Sequence, residues 1–329
     1  MPLPPKGMLP YDTSHAGPTQ ALTGNPPSQT RNLPLSASAT NPLPRVTAVV
    51  LNWCDAPATE ACVRSLQTDG YPELSVLVVD NGSPDGSGSR LQQALPEVDF
   101  LQTGENLGYS GGNNRGIERA LSDGADFVLV LNPDTLIERG TVNRMVETAL
   151  ETSGTGAVVP TVVRMDDPEE AWYDGGAFDP VRGLGVHWNG EEGAPGVVGP
   201  RDVTFFTGCS VLLSADALRE VGGFPEEYFL YVEDAELSVR LVRGGWRIIH
   251  EPRVRVRHSV PPEGADPSPA QIRFRDRNRR RLVRQHLGGS RKMVFAAWFY
   301  PTRVLHLGRY LLRGDLTRAS AIIRGMVER

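Results

Sequence analysis

The sequence predicts an α/β protein with a mostly parallel central sheet flanked by helices and a helical carboxyl-terminal extension. Short β-branched apolar runs such as Val46-Thr-Ala-Val-Val-Leu51 and Leu74-Ser-Val-Leu-Val-Val79 have the composition of strands buried on both faces. Amphipathic stretches lie between such runs, and strands alternating with helices at this spacing pair in parallel through right-handed crossovers. Polar clusters close three of the strands: Asn52, Asp80-Asn81 and Asn132-Pro-Asp134. In a sheet of this kind ligand chemistry gathers at the carboxyl ends of the strands.

The elements follow in order. After the first strand, Asp55 caps a helix with Pro57 in its first turn and Cys62, Val63 and Leu66 on one face. The second strand ends in Asp80-Asn81-Gly82-Ser83, and a helical stretch over 90–95 and a short strand over 98–102 come next. The glycine-rich segment 106–116 leads into a helix with Ile117, Ala120 and Leu121 inward. A strand over 127–131, a helix over 141–150 and a strand over 157–160 precede a looser region, 166–199, read as an irregular hairpin. Order returns over 203–213, then in helices at 215–221 and from Glu233, and in a strand over 253–257.

At 329 residues, 40% hydrophobic and 22% charged, the chain can build a substantial core as one large domain or two ordinary ones. Three cysteines, at 54, 62 and 209, lack zinc-site spacing and the density of a disulfide framework. That excludes a stapled secreted scaffold and fits a reducing compartment. Residues 1–44 hold ten Pro and three charged residues and no apolar periodicity, so they read as a disordered tail.

The net charge of −5 divides unevenly: residues 271–329 carry fifteen Lys or Arg against three acids, a net of +12, which leaves −17 for residues 1–270. An acidic body argues against nucleic acid as a partner. A basic tail that mixes Phe, Trp, Tyr and Leu with scattered Arg suits peripheral contact with anionic lipid, and packing on the acidic body is the competing reading. No run approaches the roughly 20 apolar residues of a membrane span, and the amino terminus lacks the pattern of a signal peptide. The expectation is a cytoplasmic location, with peripheral contact at the inner face of the plasma membrane if the tail meets lipid.

Five motifs occur in a recognisable order: Val49-Val-Leu-Asn52, Val78-Val-Asp-Asn-Gly-Ser83, the segment Asn106-Leu-Gly-Tyr-Ser-Gly-Gly-Asn-Asn-Arg-Gly116, Leu131-Asn-Pro-Asp134, and Glu233-Asp234 with Leu237. In this order they resemble family 2 glycosyltransferases, above all the rhamnosyltransferase-like branch. The resemblance covers residues 46–286. It implies a GT-A-like, Rossmann-like domain over 45–286, between the tail 1–44 and a basic amphipathic helical extension over 287–329.

The resemblance also implies roles. Asn132-Pro-Asp134 looks like the branch's form of the Asp-x-Asp metal motif, in which Asp134 supplies the anionic ligand and Asn132 at most a neutral oxygen. A Mg²⁺ or Mn²⁺ ion there would offset charge on a departing nucleoside diphosphate. His258, after the strand over 253–257, corresponds to a further metal ligand; without the resemblance it is an ordinary histidine at a strand end. Inverting transfer needs one base beside the acceptor hydroxyl, opposite the leaving group. Asp234 takes that role and Glu233 supports it, although acids in a first helical turn also complement the helix dipole.

Asn52, Asp80 and Asn81 are implied contacts to the base and ribose of a dTDP- or UDP-linked sugar. Asn106, Gly108, Gly112 and Asn113 would let backbone approach the nucleotide or sugar. Gly208, within Phe205-Phe-Thr-Gly-Cys-Ser210, would leave room for sugar, although this segment also reads as a buried strand. Trp172, Trp188 and Trp246 are candidates for stacking on sugar and equally for anchoring loops.

The expected activity is metal-dependent, inverting transfer of rhamnose or another hexose to a hydroxyl of a glycan or lipid-linked acceptor in cell-surface polysaccharide synthesis. Acceptor choice is assigned to 166–199 and 259–270. A catalytically silent nucleotide- or glycan-binding protein is the alternative, and a nucleotidyltransferase a weaker one, because Asn52-Trp-Cys-Asp55 stands where a glycine-rich basic loop would be.

Overall fold

The computed structural model describes residues 42–188, 199–260 and 265–328. Nearly all of the proline-rich tail lies outside these residues, as do parts of both segments assigned to acceptor choice. The chain runs β1 (Val46–Asn52), α1 (Ala56–Gln67), β2 (Leu74–Asp80), α2 (Ser87–Ala94), β3 (Asp99–Gln102), α3 (Gly108–Ser122) and β4 (Phe127–Leu131). It continues through β5 (Thr135–Ile137), α4 (Thr141–Glu151), β6 (Thr155–Arg164), β7 (Ala171–Tyr173), β8 (Gly176–Asp179), β9 (Leu184–His187), β10 (Arg201–Val203) and β11 (Ser210–Ser214). The remainder is α5 (Ala215–Val221), α6 (Glu233–Arg243), β12 (Arg247–His258), α7 (Pro269–His286), α8 (Gly289–Leu312) and α9 (Leu316–Val327).

The main sheet has the order β10-β12-β6-β11-β4-β1-β2-β3. Its β3-β2-β1-β4 half is parallel. β11 then inserts antiparallel between β4 and β6, and β12 resumes parallel to β6. This is the mostly parallel, helix-flanked sheet the alternation predicts, with β11 reversed inside it and the short strands β5, β7 and β10 reversed at its margin. The two strands expected over 157–160 and 253–257 are parts of longer ones, the middle of β6 and the carboxyl-terminal half of β12, because β6 and β12 pair along most of their length. β8 and β9 form a separate antiparallel hairpin within the region read as irregular.

β1 explains how the sheet is buried on both faces. Ala48 and Val50 meet Cys62, Val63 and Leu66 of α1 and Met145 of α4. Val49 and Leu51 point the other way, toward Ile117 of α3 and Leu237 of α6. The two-residue period of a strand sends alternate side chains to opposite faces, and each such aliphatic burial is worth about 1.5–3 kcal/mol. Asp55 caps α1 by accepting from the Ala58 N–H at 3.2 Å.

The glycine-rich segment differs from its expected form, since it is the first half of α3 rather than a loop before a helix. A Cβ on Gly116 would lie 2.3 Å from Val49 Cγ1, and one on Gly112 would lie 2.5 Å from Leu51 Cδ1. Glycine here lets α3 lie directly on β1 despite its poor helix propensity.

At the carboxyl end, Phe295 and Phe299 of α8 join the main core beside Leu282, Val283 and Leu287. Asp276 of α7 is buried and accepts from Arg303 Nη1 at 2.9 Å, with Arg279 Nη1 at 3.5 Å. Arg279 lies over the rings of Phe295, Trp298 and Phe299, and burial pulls its guanidinium down to about 9. One face of the basic extension is therefore committed to the body. Among the described residues no helix is long and apolar enough to cross a membrane.

Candidate active site

The register of the sheet brings the polar clusters to one edge. Asn52 pairs with Asp80 across β1 and β2, Leu131 pairs with Ser210, and His258 pairs with Thr135. Residues far apart in sequence thus converge at the carboxyl ends of β1, β2 and β4.

Two groups predicted to share a metal meet here. His258 Nε2 lies 3.2 Å from Asp134 Oδ1 and 3.3 Å from Asn132 Nδ2. Adjacent ligands on an octahedral cation with bonds of about 2.1 Å sit roughly 3 Å apart, so the Asp134–His258 spacing fits one ion. The donor set, one carboxylate and one imidazole, leaves the other positions to diphosphate oxygens and water, which suits Mg²⁺ or Mn²⁺. His258 Nδ1 is buried with no hydrogen-bond partner. Among the described residues no three His, Cys, Asp or Glu side chains cluster as a self-sufficient metal cage.

The acid pair stands at the start of α6. Asp234 Oδ2 accepts from the Gly208 N–H at 3.2 Å and Oδ1 from the Ala235 N–H at 2.7 Å. Burial raises its carboxyl to about 6, although both N–H groups oppose the shift by favouring the anion. Glu233 is buried deeper, with Oε2 unpartnered. Burial first, and the adjacent Asp234 second, push it well above the usual carboxylate range. Burial thus favours the protonated form of Glu233 more strongly than that of Asp234.

The segment Gly208-Cys209 ties the two sites together. Its Gly208 N–H reaches Asp234, while Cys209 O accepts from the Asn132 N–H at 2.9 Å. Burial pushes the Cys209 thiol up to about 12, and Asp134 and Asp234 both add to the rise, so the thiol lies within the field of both carboxylates. Tyr109 of α3 closes the same segment by donating from its hydroxyl to Gly208 O at 2.6 Å. A Cβ on Gly208 would lie 2.8 Å from that hydroxyl, so the glycine makes room for Tyr109.

The residues assigned to the nucleotide are buried and bonded to one another. Asn52 Nδ2 donates to Asp80 Oδ1 at 2.6 Å and to Ser87 Oγ at 3.0 Å, and Thr59 Oγ1 donates to Asn52 Oδ1 at 2.9 Å. Asp80 Oδ2 accepts from Gln102 Nε2. Asn81 Nδ2 donates to Asn106 Oδ1 and to Gly108 O, and Asn106 Oδ1 accepts from the Gly108 N–H at 2.8 Å. Asn113 Nδ2 donates back to Tyr109 O, while its Oδ1 is buried without a partner. Gly108 has φ +72°, and a Cβ there would lie 2.4 Å from Phe229 O. These residues build the floor of the site, and the room their glycines leave is filled by protein.

Two features, a strained segment and the side chain that holds it, carry no role in the sequence reading. Phe229, Tyr231 and Val232, directly before the acid pair, all have positive φ, at 63°, 67° and 75°. For bulky and β-branched side chains this is strained backbone. Asn278 of α7 holds it, its amide donating to Tyr228 O, Leu230 O and Tyr231 O at 2.9, 2.9 and 2.8 Å. Beside Asp134 and His258, Trp172 lies 5.4 Å from the His258 ring and 4.4 Å from the His187 ring, and burial lowers His187 to about 4. Of the other tryptophans, Trp188 lies beneath Arg201 and Trp246 packs on Gly156. The one sequence signal for the clamp was an Asn set among arginines in a helix.

Residues 48–222 match the model of Glycosyl transferase family 2. The chain is 32% identical over 245 residues to the N-acetylglucosaminyl-diphospho-decaprenol L-rhamnosyltransferase of Mycobacterium tuberculosis, covering 67% of this chain and 78% of that protein. Its fold is similar to that of a mannosyltransferase from Pyrobaculum calidifontis in complex with GDP-Man and Mn²⁺, with TM-score 0.55, 20% identity and coverage of 87% and 86%. It is also similar to GalNAc-T7 with UDP, GalNAc and Mn²⁺, with TM-score 0.59, 15% identity and coverage of 74% of this chain and 48% of that one.

Proposed function

The chain belongs to glycosyl transferase family 2 and is a glycosyltransferase; from that premise we propose that it moves rhamnose or another hexose, with inversion, from a dTDP- or UDP-linked donor to a hydroxyl of a lipid-linked or glycan acceptor. The reading of a lipid-linked acceptor rests on the mycobacterial relative, whose name specifies a diphospho-decaprenol substrate.

One observation carries the mechanism: Gly208-Cys209 joins a carboxylate titrating near 6 to the Asp134–His258 pair. Asp234 accepts the proton of the acceptor hydroxyl as its oxygen attacks the anomeric carbon. The bond from that carbon to the diphosphate oxygen breaks on the opposite face, which inverts the configuration, and the electron pair leaves with the diphosphate. Glu233, kept neutral by burial, adds no second negative charge beside the base. Asp134 and His258 would hold a divalent cation, which when bound neutralises charge on the leaving diphosphate. Asn52, Asp80 and Asn81 shape the nucleotide end of the cleft, and Tyr109 fixes Gly208 and, through it, Asp234.

A panel of dTDP-, UDP- and GDP-sugars, with release of nucleoside diphosphate measured with and without Mn²⁺, tests the reading. Turnover of one donor with Mn²⁺, and loss of about 10²–10⁴-fold in Asp234→Asn, is expected. Equal rates for wild type and variant would remove Asp234 from its role as base.

A further inference from the structure

We propose that the outward face of α8 is a docking surface for an anionic lipid bilayer. The inward face is fixed by Phe295, Phe299, Arg303 and Tyr310, all buried. On the opposite side Met293, Val294, Val304, Leu305, Leu311 and Leu312 are 70, 50, 59, 73, 51 and 91% exposed. Their spacing follows the helical repeat, so they form one stripe along a helix of 24 residues, about 36 Å long at 1.5 Å per residue. A continuous apolar stripe left in water on an otherwise polar protein marks an interaction surface.

Charge selects the occupant. α8 contains no Asp or Glu. The three acids of residues 271–328 are each paired with arginine: Asp276 with Arg303, Asp315 with Arg318, and Glu328 with Arg273. Lys292 and Arg309 of α8 and Arg324 of α9 are exposed. The one nearby acid outside that segment, Asp266, is itself paired with Arg313 at 3.7 Å, and an apolar stripe on a helix that carries cations and no acid of its own is the pattern of a helix lying at the headgroup boundary of an anionic membrane.

This deepens the function proposed above and rests on it for its purpose, since a lipid-linked acceptor is reached at a membrane surface. The binding itself is measured without turnover. Purified full-length protein is sedimented with phosphatidylcholine vesicles with and without about 30% phosphatidylglycerol, at low salt and at about 0.5 M. Binding to the anionic vesicles that falls at high salt, and weakens at least tenfold in Leu305→Glu/Leu312→Glu, is expected. Both leucines are exposed, so an unchanged melting temperature and unchanged donor hydrolysis check that the variant is folded and its cleft intact. Absence of binding to anionic vesicles, or equal binding by the variant, overturns the proposal. So does a concentration-dependent dimer in sedimentation velocity that the same variant abolishes, because the stripe would then face a second copy. Vesicle binding without transfer to any lipid-linked acceptor would instead count against the acceptor assignment and leave the surface standing.

Discussion

Asp234 should make activity and stability change in opposite directions over one pH window. Its carboxyl is raised from 3.8 to about 6, just over two pH units at about 1.36 kcal/mol each, or at most about 3 kcal/mol. The folded protein binds this proton more tightly than the unfolded chain does. The contribution to stability is therefore complete below pH 3.8 and lost as the pH rises through about 6. Activity needs the anion, which is about a tenth of the population at pH 5 and about nine tenths at pH 7. The assay pairs kcat/KM against pH with denaturant unfolding of wild type and Asp234→Asn. The variant also loses one of the hydrogen bonds from Gly208 and Ala235, a cost that does not change with pH. Only the pH dependence of the difference is diagnostic: relative to the variant, wild type should lose about 2 kcal/mol between about pH 4 and pH 7. A flat difference, or an acid limb of kcat/KM near the ordinary carboxylate value of about 4, would refute the assignment.

Other outcomes follow from neighbouring geometry. Asp134→Ala and His258→Ala should each weaken Mn²⁺ binding at least tenfold by calorimetry, while far-UV circular dichroism stays unchanged; tight binding by either variant would remove that residue from the metal site. Asn278→Ala should cost about 3 kcal/mol, near 1 for each of three hydrogen bonds, and should lower kcat more than it raises KM. Wild-type kcat in that variant would mean that the strained segment holds itself. Gly116→Ala, with its Cβ 2.3 Å from Val49 Cγ1, should destabilise by about 1–3 kcal/mol through overpacking, read as a fall in melting temperature.

Much of this was legible because local chemistry and tertiary position agree. β1, β2 and β4 are apolar enough to be identified alone, and the polar residues that end them, Asn52, Asp80 and Asn132, reach one edge because a parallel sheet aligns its strand ends. That Asp134 and His258 belong together was implied by the family resemblance alone, since without it His258 is an ordinary histidine at a strand end. The helical state of residues 108–116 did not, because four glycines and two asparagines oppose a helix locally and only contact with β1 repays them. Likewise Val232 is among the residues least suited to positive φ, so nothing in Tyr228–Val232 announces the bend that Asn278 enforces from 47 residues away.

That clamp also limits how the enzyme can diverge. Asn278 grips residues 228, 230 and 231 only by their carbonyl oxygens. Side chains at Leu230 and Tyr231, both partly exposed, can change while the backbone that presents Asp234 keeps its course. A lineage could alter what lies beside Asp234 by single substitutions there without moving its carboxylate. Asn278 itself has no such freedom, since whatever replaced it would have to offer protons to the same three carbonyls.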